Sequence, residues 1–275
     1  MKLSVAVAGK EAPSSAFVVW RGFEESIIKA ADLGYHGIEL ALKTADDINP
    51  NKLSSWLSKH NMEVSCISTG QVFATLGLYF THPDASMRRK VIDLFSGLIN
   101  LAGDFGQMVN VGRTRGFIGE GQSQEEAEQL FIDTSRQICD IASEHGVTII
   151  IEPVNRYEIN FVNNLDQGAE LLVKVGRENL GLMPDVFHMN IEDAQIGASL
   201  SKHADLVKYI HFADSNRWAP GWGHLDFDDV FEGLRKGNFD GWASIEILPE
   251  PDPDSAARKA AETILPMIER YNMNR

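Results

Sequence analysis

The sequence alternates between short runs of β-branched residues and longer amphipathic stretches, and this alternation restricts the possible folds more than any other feature. The patterning predicts eight strands, which are Leu3–Ala8, Gly37–Ala41, Val64–Thr69, Met108–Gly112, Val147–Glu152, Leu180–Asp185, Val207–Ala213 and Ala243–Leu248. A helical pattern follows each of these strands. Eight strand–helix units without a linker predict an α/β fold, a (β/α)8 TIM barrel, as a single domain over residues 1–275.

The helices are predicted at Phe23–Leu33, Asn51–His60, Ala85–Phe105, Gln124–His145, Asp166–Val175, Gln195–His203, Asp228–Lys236 and Ser255–Tyr271. Ser123 and Glu126 have the spacing of a capping box. Four glycines stand where a helix is expected to end in a left-handed residue: Gly34, Gly146, Gly176 and Gly237. The alternative fold is a doubly wound sheet, which would be expected to carry a glycine-rich phosphate loop after its first strand. Residues 8–13 contain no such motif, and this favours the barrel.

The charge of the chain argues against nucleic acid as a partner. It carries 39 acidic and 25 basic residues, a formal net charge of −14, and no Lys/Arg cluster that could neutralise phosphates. No apolar run is long enough to span a membrane, and the short run after Met1 is typical of a strand rather than of a signal peptide. Cys66 and Cys139 are too few for a disulfide framework. We therefore expect a cytoplasmic protein without a nucleic acid or membrane partner.

Ionisable side chains stand at the ends of four consecutive predicted strands, where a barrel places its active site. They are Glu152, Asp185, His211 and Glu246. Because an uncompensated buried carboxylate is costly, three carboxylates beside one imidazole indicate a divalent ion such as Mn²⁺, Mg²⁺ or Co²⁺. Taken singly, each acid could instead be a salt-bridge partner or a helix cap. Glu39, in the second strand, could belong to the same site, and a supporting or structural role fits it equally well.

Four segments carry a resemblance to a known family, namely Ile151–Glu158, Pro184–Glu192, His211–Arg217 and Ser244–Glu246. They resemble the xylose-isomerase-like sugar isomerases and epimerases. Within that superfamily they look most like the ketose 3-epimerases of the D-tagatose/D-psicose type and the 5-keto-L-gluconate epimerase. The sequence departs from the family at Pro184 and Val186, which flank Asp185 where the family has other residues. A proline there removes a hydrogen-bond donor and is expected to shift the strand end.

The resemblance implies the roles of seven residues. Glu152, Asp185, His211 and Glu246 would together hold one ion, most similar to Mn²⁺. Glu152 and Glu246 would also be the catalytic acid/base groups. The substrate oxygens would be contacted by Glu158, His188 and Arg217.

The predicted function is metal-dependent epimerisation of a ketose or keto-sugar acid. Inverting the carbon next to a ketone requires a base that removes a proton and an acid that returns one from the opposite face. A cation that chelates the carbonyl and the neighbouring hydroxyl stabilises the cis-enediolate, while two carboxylates supply the proton transfers. The expected cofactor is therefore one divalent ion, and the expected partner is a small sugar or sugar acid.

Other functions on the same barrel are alternatives. An aldose–ketose isomerase or an inosose-type dehydratase would use a similar site. A metal-dependent phosphodiesterase of the endonuclease type would need further His ligands at strands two to four, which end in Leu40–Ala41, Thr69–Gly70 and Val111–Gly112. In a non-catalytic sugar-binding barrel, the two metal-bound glutamates would have no catalytic function.

Individual side chains also have alternative roles. His188 could be a second metal ligand or a structural residue, and Arg217 could pair with a neighbouring acid or with a substrate carboxylate. Trp218 and Trp222 either stack on a sugar ring or pack a loop. We also expect a homo-oligomer.

Overall fold

The computed structural model describes residues 1–13 and 16–273. The strands within these residues are β1 (Lys2–Ala8), β2 (Trp20–Arg21), β3 (Gly37–Ala41), β4 (Glu63–Ser68), β5 (Met108–Asn110), β6 (Thr148–Ile151), β7 (Leu180–Leu182), β8 (Tyr209–Phe212) and β9 (Trp242–Ile245). The α-helices are α1 (Phe23–Asp32), α2 (Pro50–His60), α3 (Gly70–Leu76), α4 (Ala85–Asp104), α5 (Gln124–Glu144), α6 (Leu165–Val175), α7 (Val186–Glu192), α8 (Ile196–Lys202), α9 (Phe227–Lys236) and α10 (Pro253–Met273). Two 3-10 helices span Ala45–Asp47 and Gly112–Arg115.

Eight of the strands form a parallel barrel. Hydrogen bonds join them in the order β7, β6, β5, β4, β3, β1, β9 and β8, while β2 pairs with the end of β1. The ring closes between β7 and β8, where the backbone N–H of Lys208 donates to Leu182 at 3.0 Å and that of His211 donates to Pro184 at 2.9 Å. The predicted TIM barrel is therefore confirmed.

The barrel strands are apolar on both faces because helices cover the outer face and side chains fill the interior. Every residue of β3 is buried, as are Ile149–Ile151 in β6. Ile150 packs in an interior cluster with Cys66, Met183 and Tyr209. This packing holds the carboxyl ends of the strands, and the residues that follow them, in fixed positions around the mouth of the barrel.

The structure contains two helices that the sequence pattern did not predict. Both α3 and α7 are seven residues long and directly follow the ends of β4 and β7, where the sequence pattern indicates strand and loop residues. Asp185 caps α7, because its Oδ1 accepts a hydrogen bond from the N–H of Phe187 at 2.8 Å. The prediction that the sixth barrel strand reaches Asp185 was wrong, since β7 ends at Leu182. Pro184 has no N–H to continue the ladder.

The predicted helix ends are mostly confirmed. The capping box of Ser123 and Glu126 is present, and Gly34, Gly146 and Gly176 have φ values of 83°, 65° and 64°. The prediction for Gly237 was wrong, because its φ is −86° and Asn238 adopts the left-handed conformation with φ 52°. Within the described part of the chain, no helix is long and apolar enough to cross a membrane.

Candidate active site

The four predicted metal ligands lie together at the mouth of the barrel. Glu152 follows β6, Asp185 follows β7, His211 lies in β8, and Glu246 follows β9. Each residue offers one ligand atom, and these four atoms all lie within 4.8 Å of one another. Three of the residues are buried and Glu246 is largely buried. The arrangement follows from the parallel barrel, which places the ends of neighbouring strands side by side.

The imidazole of His211 is the centre of this group. Its Nδ1 lies 3.5 Å from Glu152 Oε1, 3.8 Å from Asp185 Oδ2 and 3.5 Å from Glu246 Oε2. This nitrogen is buried and has no hydrogen-bond partner among the described residues. Burial lowers the pKa of His211, but the charges of Glu39 and Glu246 outweigh it and raise the pKa well above its ordinary value. The surrounding carboxylates therefore favour a positive charge at the position of the His211 imidazole.

Glu39 contacts His211 from the opposite side of the ring. Its Oε2 lies 3.0 Å from His211 Nε2 and also accepts a hydrogen bond from the hydroxyl of Tyr209 at 2.9 Å. The Tyr209 hydroxyl in turn lies 2.7 Å from Ser65 Oγ. A carboxylate that accepts the Nε2 proton leaves Nδ1 as the free nitrogen, which is how ligand histidines are commonly oriented. Glu39 is not one of the four grouped ligand residues, and its contacts favour the supporting role.

Arg217 provides the positive charge closest to the acids. It donates hydrogen bonds to Asp185 Oδ2 at 2.7 Å and to Glu246 Oε2. Its guanidinium lies 4.8 Å from the ring centres of both Phe17 and Phe187, so the cation is held between two aromatic faces. Burial raises the pKa of Glu246 to about 8, although His211 and Arg217 act in the opposite direction.

His188 and Glu158 lie beside Glu152. His188 Nε2 is 3.8 Å from Glu152 Oε1, and its Nδ1 is 3.9 Å from Glu158 Oε1. The amide of Asn155 connects the two, since its Nδ2 lies 2.7 Å from His188 Nδ1 and donates to Glu158 Oε1 at 3.1 Å. Asn155 was not assigned a role from sequence, because an amide three residues after an acid has no distinctive spacing.

Arg115 is a second residue that the sequence analysis missed. It is fully buried and donates to the backbone carbonyls of Gly112, Glu152, Phe161 and Val162 at 2.6 to 3.1 Å. No carboxylate of the described residues forms an ion pair with it. These bonds fix the backbone of Glu152 relative to the loop between β6 and α6.

A cleft with an empty volume of about 680 Å³ opens above these residues. It is lined on one side by the predicted site residues Glu152, Glu158, His188, Arg217 and Glu246. Asp185 and His211 do not line it; both are fully buried and contact residues that do. Trp218 and Trp222 are not among its lining residues either; Trp222 packs against the hydrophobic core, whereas Trp218 is exposed.

The chain is similar to known proteins in both sequence and structure. The family model for the xylose isomerase-like TIM barrel matches residues 27–267. A ketose 3-epimerase of Arthrobacter globiformis is 28% identical over 228 residues, which cover 80% of this chain and 75% of that protein. The 3-dehydro-D-guloside 4-epimerase of Escherichia coli (strain K12) is 32% identical over 131 residues. That match spans 47% of this chain and 50% of the relative's length.

Solved structures share the fold. D-Allulose 3-epimerase from Methylomonas sp. matches with a TM-score of 0.82 and 23% sequence identity, and the match covers 98% of both chains. The 3-keto-D-glucoside 4-epimerase from E. coli matches with a TM-score of 0.80 and 20% identity over 95% of this chain and 98% of that one. At these identities the likeness concerns the architecture.

Proposed function

This chain belongs to the xylose isomerase-like TIM barrel family, and from this premise we propose that it is a divalent-metal-dependent sugar epimerase. Its substrate class is a ketose or keto-sugar acid, and the reaction inverts the carbon next to the ketone. The relatives named as epimerases of ketoses and of a 3-dehydro-guloside support an activity of this kind.

The single observation that carries the proposal is the environment of His211 Nδ1. A buried nitrogen without a hydrogen-bond partner faces three carboxylate oxygens at 3.5 to 3.8 Å. Three oxygen ligands and one nitrogen ligand suit a hard or borderline divalent cation, so the residues fit such an ion. Glu152, Asp185, His211 and Glu246 would hold it, and we propose Mn²⁺, with Mg²⁺ and Co²⁺ as alternatives to be compared.

Two of the four ligands are positioned to act on a substrate. Glu152 and Glu246 line the cleft, whereas Asp185 and His211 are fully buried and do not. We therefore assign the proton removal to one of the two glutamates and the proton return to the other. When bound, the ion would supply positive charge that stabilises the oxyanion formed as the carbon loses its proton.

The remaining lining residues would orient the substrate. Glu158 and His188 meet the cleft next to Glu152, and Arg217 meets it next to Glu246. These side chains offer both donors and acceptors, which is what a chain of hydroxyl groups requires. Asn155 holds the first two in place through its amide.

Hydrogen exchange tests the proposal. Protein loaded with Mn²⁺ is incubated in D₂O with a panel of ketoses and keto-sugar acids, and the products are analysed by NMR. We expect deuterium at the inverted carbon, with no loss of water and no aldose. Elimination of water would indicate a dehydratase, an aldose product an isomerase, and cleavage of abasic DNA a phosphodiesterase; each would contradict the epimerase.

We propose that residues 1–275 are one domain, that the protein is a homo-oligomer, and that it is cytoplasmic. Cys66 and Cys139 are both buried and unpaired, which is compatible with a reducing compartment.

A further inference from the structure

The wall of the cleft formed by the ends of β4 and β5 carries polar side chains that the proposed proton transfers do not use. Gln71 lies in α3, Asn110 ends β5, and Arg113 lies in the 3-10 helix that follows β5. All three line the cleft. This wall adjoins the catalytic carboxylates, because a Cβ added at Gly112 would lie 3.4 Å from Asn110 Oδ1 and 3.5 Å from Glu152 Oε2.

Gln71 and Asn110 present acceptors that lack donors. Gln71 is 4% exposed, and its Nε2 donates to the carbonyl of Ala41 at 2.7 Å, which fixes the orientation of the amide. Its Oε1 then has no hydrogen-bond partner in the described part of the chain, and neither has Asn110 Oδ1. A buried acceptor without a donor costs free energy. Hydroxyl groups of a bound ligand would supply the missing donors.

Arg113, by contrast, is a positively charged donor and requires an anionic acceptor. Among residues 1–13 and 16–273, no carboxylate lies within ion-pair distance of it, and its guanidinium lies 5.7 Å from the ring centre of Phe73. Arg217, the other arginine that lines the cleft, is already paired with two carboxylates.

We propose that Gln71, Asn110 and Arg113 form a second substrate subsite, which holds the end of the substrate away from the reacting carbon. The subsite selects substrates whose hydroxylated carbon skeleton ends in an anionic oxygen group. A neutral ketose would satisfy the two amide acceptors but leave Arg113 without a counter-charge. A carboxylate or a phosphate presents the oxygen pair that a guanidinium binds in bidentate fashion. Resting on the proposed function, this narrows the substrate class to keto-sugar acids and ketose phosphates.

The test uses ligands that cannot react, so that binding is measured independently of epimerisation. Protein loaded with Mn²⁺ is titrated by calorimetry with D-gluconate, D-glucitol 6-phosphate and D-glucitol, three six-carbon polyols without a ketone. We expect at least one anionic ligand to bind ~10-fold or more tightly than D-glucitol, since hydrogen bonds between charged groups are the stronger ones. The tighter of the two anions identifies the carboxylate or the phosphate as the preferred group.

Variants then assign the preference to the subsite. Arg113→Gln should remove most of the difference in affinity between the anionic ligands and the neutral one. Arg113→Lys keeps the charge and should therefore retain part of that difference. Gln71→Met should lower the affinity for all three ligands by roughly 3- to 10-fold, which is the usual contribution of one hydrogen bond. Arg177→Gln is the matched control, because Arg177, which precedes β7, forms an exposed ion pair with Asp140.

Two results would overturn the subsite. One is equal binding of the three ligands by the wild-type protein. The other is an anion preference that survives Arg113→Gln, which would indicate that the acid group binds the ion instead. Neither result bears on exchange in D₂O. Conversely, absence of exchange together with Arg113-dependent binding would contradict the proposed epimerisation and leave the subsite intact.

Discussion

Replacing Glu39 with glutamine should weaken Mn²⁺ binding by about 10- to 100-fold, the usual effect of losing a residue that orients a ligand. The two carboxylate oxygens of Glu39 lie 3.0 and 3.2 Å from His211 Nε2. Glutamine keeps the shape and one acceptor oxygen but loses the charge. A hydrogen bond to a charged group is worth about 1.5 to 3 kcal/mol and a neutral one about 0.5 to 1.5 kcal/mol. The midpoints of these ranges differ by about 1.25 kcal/mol, which corresponds to an approximately eightfold change and places the lower bound near tenfold.

The assay is calorimetric titration of Mn²⁺ into protein that has been stripped of metal with a chelator. Glu63→Gln is the matched control, because Glu63 begins β4 and forms an exposed ion pair with Lys2 far from the cleft. Its Mn²⁺ affinity should stay within about twofold of the wild type, since exposed ion pairs contribute little. Equal affinities of Glu39→Gln and wild type would falsify the view that Glu39 orients the ligand nitrogen.

Three further results are expected. Glu246→Gln, assayed at an Mn²⁺ concentration that saturates the variant, should keep most of the substrate affinity but lower turnover by ~10²-fold or more, because it removes one of the two proton-transfer groups. Mn²⁺ at 100 times its Kd should stabilise the wild type by about 2.7 kcal/mol in a denaturation experiment, and EDTA should abolish the effect. Arg115→Met should destabilise the protein by at least ~3 kcal/mol, because four buried carbonyls lose the guanidinium that donates to them, although that of Val162 keeps the N–H of Val154.

Each of these expectations has a control. Near-normal turnover of Glu246→Gln would remove Glu246 from the reaction. Asp185→Asn should lose the Mn²⁺-dependent stabilisation, and its persistence would place the ion elsewhere. Arg136→Met is the counterpart of Arg115→Met, since Arg136 also donates to two backbone carbonyls but at the surface. It should cost about 1 kcal/mol or less, and an equal loss in both variants would contradict the argument from burial.

The barrel and its group of acids could be predicted from sequence for the same physical reason. An apolar run buried on both faces predicts a barrel strand, and a carboxylate directly after such a run is costly unless a charge compensates it. Glu152 and Glu246 each follow an apolar strand, and His211 interrupts one. Parallel strands bring these positions to one end of the barrel. The contacts among these three residues can therefore be predicted from the barrel fold, even when the conformations of the loops are not known.

The other wall of the cleft could not be predicted in this way. Gln71 and Arg113 lie in a seven-residue α-helix and a four-residue 3-10 helix, whose directions depend on tertiary contacts. Arg115, two residues further on, is buried and oriented by carbonyls of a distant loop. No local spacing distinguishes it from the cleft-lining Arg113. The sequence therefore predicted no ligand-binding residue after β4 or β5.

The charge of the site predicts that Mn²⁺ binding depends on pH. Glu39, Glu152, Asp185 and Glu246 converge on His211, and Arg217 pairs with only two of them. The pKa of His211 is raised by Glu39 and Glu246 against the effect of burial, and burial raises the pKa of Glu246 to about 8. Both groups therefore hold protons at neutral pH that a cation must displace. The affinity for Mn²⁺ should fall as the pH decreases from 8 to 6, and binding should release protons. Calorimetry in two buffers of different ionisation enthalpy measures this release, and a pH-independent affinity would contradict ligation by these side chains.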